Sequence, residues 1–266
     1  MKNLKICLDP GHGKGSNPSP CGFGYAEGTQ MFYFAGLLKM ALERYGIEVI
    51  ITRSRMADNP NLIHRAQYGK NCDLLLSLHS NDTGKGVNED VDYVRVYYPI
   101  SGKGKELAAL LSDTIAQTMG TAQKPQYLAR INSNGTVDHY GIIRYSADLG
   151  VPALILEHSF HTNPRTTEWL MHDVNLCELA KAEAKTIADY YGLGKIKEEE
   201  TEMRYNTLAD LKADPNSKYY LPTVEKLIHK GYLQGKGGTG DDLILDFSED
   251  AIRIMVTLDR AGVYGE

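Results

Sequence analysis

The stretch DLLLSLHSN, residues 73–81, decides the fold. Its apolar residues stand on successive positions rather than alternating, with Ser77 between Leu76 and Leu78, which is the pattern of a strand covered on both faces, and the run ends on a histidine. ALILE, residues 153–157, repeats the pattern and ends on a carboxylate. Residues 4–8, 48–52 and 93–98 also read as strands. Between them lie segments with apolar residues at helical spacing: TQMFYFAGLLKMALERYG (29–46), NPNLIHRAQYG (59–69), GKELAALLSDTIAQTMG (104–120) and CELAKAEAKTIADYYG (177–192). NPNLIHRAQYG opens with an Asn-Pro helix start, and the other three close on glycines suited to C-caps. Short apolar strands alternating with longer helices predict an α/β fold: a twisted, mostly parallel sheet with helices on both faces.

The 266 residues exceed the commonest single-domain size. A first, α/β domain is expected over residues 1–193. The charged run GKIKEEETEM, 194–203, reads as a linker. Residues 204–266 read as a small all-α domain, with LPTVEKLIHKGYL (221–233) and SEDAIRIMVTLDRAGVY (248–264) as amphipathic helices joined by the loop QGKGGTGDD (234–242).

Composition excludes several classes. The formal net charge of −5 leaves no basic footprint for nucleic acid. The acidity sits at the end, where residues 194–266 carry 10 Lys/Arg against 14 Asp/Glu. No apolar run reaches membrane-spanning length. Cys7, Cys21, Cys72 and Cys177 lie far apart with no CxxC pair, so free buried thiols are expected rather than a disulfide framework or thiolate zinc site. The first residues enter a strand directly, without a signal-peptide pattern. The expectation is synthesis in the cytoplasm and action elsewhere only after release.

The first strand runs into DPGHGKGS, residues 9–16. Neither this loop nor QGKGGTGDD has the G-x-x-x-x-G-K-[ST] spacing of a P-loop, and SNPSPCG after Gly15 does not open a dinucleotide-binding helix. What remains is a histidine, His12, at the carboxyl end of a strand, where open α/β sheets gather ligand-binding groups. Gly11 and Gly13 read as turn-formers around it, with Asp9 orienting the imidazole. His79 and Glu157 fall at the carboxyl ends of two further strands, and Glu27, in GFGYAEGTQ, sits in the loop before the first long helix. A catalytic zinc takes three His or Asp/Glu ligands and leaves a fourth position open. His12, His79 and Glu27 could supply them, with Glu157 held back as a base. Each also has an ordinary reading: hydrogen-bonded structural histidines, Glu27 as a favourable anion at a helix start, Glu157 paired with an arginine such as Arg144. Tyr93, Tyr97 and Tyr98 read as packing residues.

DPGHG, the glutamate closing the next loop, SLHSN, and a late LILE followed by S-F-x-x-N occur in this order, and over residues 4–192 the chain resembles the zinc-dependent N-acetylmuramoyl-L-alanine amidases of the Amidase 3 family. The resemblance implies one zinc ion held by His12, Glu27 and His79, with Glu157 as the catalytic glutamate. It implies hydrolysis of the amide between muramic acid and the stem peptide of peptidoglycan, leading to wall lysis by an endolysin or autolysin released through a phage holin or mother-cell lysis. His158 and Ser159 stand where many members have threonine and glycine, which leaves their roles and that of His161 open. The segment after residue 203 resembles small helical modules of clostridial and phage wall lytic enzymes. That resemblance implies attachment to a cell-wall polymer; a dimerisation hairpin, giving a homodimer, is the competing reading. Other zinc hydrolases of wall material, a carboxypeptidase or deacetylase, and a non-catalytic wall-binding protein remain alternatives.

Overall fold

In the computed structural model, residues 4–194, 204–215, 217–233 and 235–248, with 251, 252, 255, 256 and 259, are described. The chain divides into two compact units, 1–196 and 197–266. The expected linker, 194–203, lies outside the described residues except for Gly194.

The first unit is built on six strands: β1 (Lys5–Pro10), β2 (Glu48–Ile51), β3 (Leu74–Asn81), β4 (Arg95–Tyr97), β5 (Gln126–Leu128) and β6 (Ala153–Phe160). Its helices are α1 (Glu27–Glu43), α2 (Leu62–Gly69), α3 (Lys105–Met119), α4 (Gly141–Asp148), α5 (Pro164–Met171) and α6 (Asp173–Tyr190). Strand order is β2-β1-β3-β6-β4-β5. The pairs β1–β2, β1–β3, β3–β6 and β4–β5 are parallel, whereas β4 runs antiparallel to β6. The mostly parallel sheet is therefore present, with its last two strands reversed.

β3 and β6 are central because each is apolar on both faces, and Leu74, Leu75, Leu76, Leu78, Ala153, Leu154 and Leu156 are essentially inaccessible. On one face, Cys7, Leu75, Tyr97, Ala153 and Ile155 pack against Ala66 of α2 and Ile142 and Ile143 of α4. On the other, α1, α3 and α6 pack against the sheet or one another. α1 starts at Glu27, two residues before the expected helix, so this glutamate is the helix's first residue. α2 is capped by Asn61, whose side chain accepts from the His64 N–H at 3.0 Å, rather than by the Asn-Pro pair ahead of it. β5, α4 and α5 were not anticipated.

The second unit holds β7 (Arg204–Thr207), α7 (Leu208–Ala213), α8 (Leu221–His229) and β8 (Ile244–Ser248). α8 lies within the first helix expected there. Of the second, Ser248 ends β8 instead, the described residues Ala251, Ile252, Met255, Val256 and Asp259 are helical, and the remaining residues lie outside the described ones. The unit is not purely helical, because β7 and β8 pair as an antiparallel ribbon. Ile244, Leu245 and Phe247 after the glycine loop give a short apolar run with a paired edge available at Tyr205. Tyr205, Leu208, Leu211, Tyr220, Val224, Leu227, Leu243, Leu245, Ile252, Met255 and Val256 are buried, most of them in one core of this unit's own residues.

Candidate metal centre

β1, β3 and β6 deliver their carboxyl ends to one edge. In the parallel register His79 lies beside Glu157, so both side chains leave the same sheet face, the one that α2 and α4 cover lower down. His12 follows β1, and Glu27 enters from the first turn of α1. One ligand atom each from His12, Glu27 and His79 lies within 4.8 Å of the others. The histidine rings meet edge to face with centroids 4.9 Å apart. Glu27 Oε1 accepts from His79 Nδ1 at 2.8 Å and from the Ser80 N–H at 3.0 Å, and Oε2 accepts from Asn17 Nδ2 at 2.8 Å. His12 Nε2 lies 3.3 Å from Oε2.

Electrostatics follow from this packing. Burial pushes the Glu27 carboxyl upward, but its hydrogen bonds to His12 and His79 and their charges outweigh it and hold it well below the carboxylate range. Burial lowers His79, while the bond to Glu27 and its charge dominate and raise it to about 9. Glu157 behaves in the opposite sense. Burial, with the Glu27 charge adding and the His79 charge opposing, lifts it to about 7. Its Oε2 is buried and has no protein partner. The alternative pairing with Arg144 is not formed, for that guanidinium donates to the Asp138 carbonyl at 3.0 Å.

Two imidazoles and a carboxylate converging on one point, beside an orphaned buried carboxylate oxygen, fit a zinc ion in both donor set and spacing.

Other expectations change. Asp9 does not orient His12; it accepts from Thr52 Oγ1 at 2.6 Å, Arg65 Nη1 at 2.7 Å and Ser77 Oγ at 2.8 Å, because it points inward from β1. Gly11 and Gly13 are not the positive-φ residues: His12 itself is, at φ 59°. The glycines are needed for room, since a Cβ on Gly11 would lie 2.2 Å from His79 Cε1 and one on Gly13 would lie 2.9 Å from the Asn59 side chain.

The strained His12 turn is held by two buried arginines that the sequence reading missed. Arg65 donates to the carbonyls of Pro10 at 2.8 Å and His12 at 2.6 Å. Arg53 donates to the carbonyls of Gly28 at 2.8 Å and Gly11 at 3.3 Å, tying the His12 turn to the start of α1. The available signal was TR, residues 52–53, at the carboxyl end of β2 and hence at the edge that carries DPGHG.

His158 sits on the opposite face, inaccessible, between Phe34 of α1 and Glu183 of α6. Its Nε2 meets Glu183 Oε1 at 2.8 Å and its Nδ1 donates to the His79 carbonyl at 2.8 Å, so it buttresses β3 from behind. His161 Nδ1 lies 2.9 Å from Ser80 Oγ and its ring stacks on Tyr25. Both are structural in their contacts.

The family model for Amidase_3, described as N-acetylmuramoyl-L-alanine amidase, matches residues 6–189. This chain belongs to the Amidase_3 family. Its members are N-acetylmuramoyl-L-alanine amidases, hydrolases of peptidoglycan. No curated protein matches the chain. Among solved structures, the catalytic domain of CwlV, an N-acetylmuramoyl-L-alanine amidase from Bacillus (Paenibacillus) polymyxa var. colistinus, is similar at TM-score 0.60 and 20% identity over 72% of this chain and 99% of that one. The amidase AmiC2 of Nostoc punctiforme gives TM-score 0.60 and 23% identity over 71% and 97% of the two chains. An N-acetylmuramoyl-L-alanine amidase from Clostridium difficile 630 gives 0.61 and 21% over 72% and 98%. At these identities the likeness is one of fold.

Proposed function

We propose that the chain is a zinc-dependent peptidoglycan amidase that cleaves the bond between the lactyl group of N-acetylmuramic acid and L-alanine, with His12, Glu27 and His79 as metal ligands and Glu157 as proton-transfer residue. The observation that carries the reading is the unpartnered, buried Glu157 Oε2 beside the three-residue cluster. Bound there, zinc supplies Lewis acidity toward the amide carbonyl and lowers the pKa of water toward about 7. Glu157, itself near 7, takes a proton from the attacking water and passes it to the alanine nitrogen as the C–N bond breaks. Glu27 keeps both imidazoles oriented, and Ser80 and Asn17 fix its two oxygens. Arg53 and Arg65 hold the His12 turn against its strain.

The role we assign is wall lysis after release from the cytoplasm, as an endolysin or autolysin, with the second unit attaching to a wall polymer. Mass spectrometry of digested peptidoglycan tests the chemistry: intact stem peptides freed from uncut glycan are expected. Products shortened within the peptide, or deacetylated sugars, indicate the carboxypeptidase or deacetylase alternatives. Chelation abolishes hydrolysis and added zinc restores it; hydrolysis that survives chelation overturns the metal assignment.

A further inference from the structure

Beside Glu157 in the sheet, β4, its neighbour β5 and the segment leading into α4 carry positive charge that the hydrolysis just described does not use. Arg95 opens β4 directly opposite Glu157 in the antiparallel register, so the two residues share a sheet face. Its guanidinium donates to Gln126 Oε1 from Nε at 3.1 Å and Nη2 at 2.8 Å, to the Tyr97 hydroxyl from Nη1 at 3.2 Å, and to the Tyr93 hydroxyl. It lies 4.9 Å from the centroid of the Tyr93 ring. Tyr97 in turn packs on Tyr140 with centroids 4.5 Å apart, and the Tyr140 hydroxyl accepts from Arg130 at 3.2 Å. One turn into α4, Arg144 donates to a backbone carbonyl.

Every one of these partners is neutral. Among the described residues, Arg95, Arg130 and Arg144 make no ion pair, in a chain whose formal net charge is −5. The tyrosines and Gln126 take four of the five N–H groups of Arg95 and so fix the guanidinium without cancelling its charge, which leaves that charge and one Nη1 N–H for an anion. The chemistry of the substrate says which anion. The N-acetylated sugars are neutral and the lactyl carboxyl is tied up in the scissile amide, so ionised carboxylates near that bond belong to the stem peptide.

We propose that Arg95, supported by the neighbouring charge of Arg130, binds a carboxylate of the stem peptide and makes the enzyme discriminate against walls in which that carboxyl is capped as a carboxamide. The inference rests on the amidase reading. It is tested with the zinc-loaded full chain and two synthetic muramyl peptides that differ only in whether the carboxyl next along the stem from alanine is free or amidated. The wild-type protein favours the free acid by about tenfold or more, chiefly through KM. Arg95→Gln raises KM for the free acid far more than for the carboxamide, so that the preference shrinks to within about twofold. Arg95→Lys falls between, because it keeps the charge and loses the fixed geometry that Gln126 and the tyrosines give the guanidinium. An equal loss on both peptides, or a preference that survives Arg95→Gln, overturns the assignment. Calorimetric binding of the same peptides to Glu157→Gln protein, with and without Arg95→Gln, makes the comparison without turnover. A wild-type protein that cleaves neither peptide sinks the amidase reading, and the calorimetric preference still decides the role of Arg95.

Discussion

At the scale of single residues, Glu157 is where stability and function pull apart. Its buried carboxyl is held near 7 against an ordinary value of 4.5, chiefly by burial. The native protein therefore keeps a proton that the unfolded chain releases between those values, and stability falls as pH rises through that window. Glutamine has the same shape and does not titrate. In the metal-free protein, Glu157→Gln raises stability at about pH 8 by about 1–3 kcal/mol and leaves it nearly unchanged at about pH 4, measured by urea unfolding. The same substitution lowers hydrolysis by about 10²-fold or more while zinc remains bound, read by metal analysis beside activity. Loss of the metal instead would make Glu157 a ligand. His79 titrates in the other sense. Near 9, its proton must leave before the imidazole can bind an ion, so apparent zinc affinity rises by about tenfold per pH unit up to that value, in competition with a chromophoric chelator.

At the scale of elements, the site depends on how the turn after β1 is pressed between α1, α2 and β3. Arg65 on α2 and Asp9 on β1 form an ion pair whose side chains are 4% and 2% exposed, while the same guanidinium carries the His12 carbonyl. Arg65→Ala strands that buried carboxylate and releases the turn. The expected loss is about 3–5 kcal/mol in urea unfolding, with zinc binding weakened by about 10–100-fold. Gly28→Ala probes the same junction sterically, since its Cβ would lie 1.9 Å from the Gly13 carbonyl oxygen; it displaces the turn and weakens zinc binding, with helix content by circular dichroism retained.

These elements also explain what was legible in the sequence. β3 and β6 were plain because consecutive buried apolar residues leave a strong local pattern, and His12, Glu27, His79 and Glu157 stood out as polar groups at or near the ends of such runs. β5 is three residues long with Gln126 and Tyr127 exposed, so it has no apolar period to find. The reversal of β4 is a matter of connection, not of local pattern. Arg53 and Arg65 were invisible because an arginine in sequence reads as surface, and the carbonyls that solvate these two exist as a cluster only after the chain folds. Gly11 and Gly13 read as turn-formers, but the demand on them is the approach of His79 and Asn59, which local sequence does not record.

At the scale of the whole molecule, the two units bury separate sets of apolar residues. Tyr205, Leu211, Val224 and Leu245 close a core within the second unit, while the sheet of the first is filled from Cys7, Leu75, Ile155 and their neighbours. Every residue assigned to hydrolysis lies in the first. Removing residues 197–266 should therefore leave cleavage of a soluble muramyl peptide within about twofold of the full chain, because every residue assigned to the metal, the reaction and the stem carboxylate is kept. The two proposed roles of the second unit then separate. If it attaches the enzyme to the wall, truncation lowers sedimentation with purified walls and slows lysis of intact walls far more than cleavage of the soluble peptide. If it is a dimerisation element, truncation converts a dimer to a monomer in analytical ultracentrifugation while wall binding by each protomer persists. A truncated chain that has lost soluble-peptide cleavage while keeping the thermal transition of the first unit would mean that the second unit takes part in the chemistry, and the confinement of the active site to residues 1–196 would be wrong.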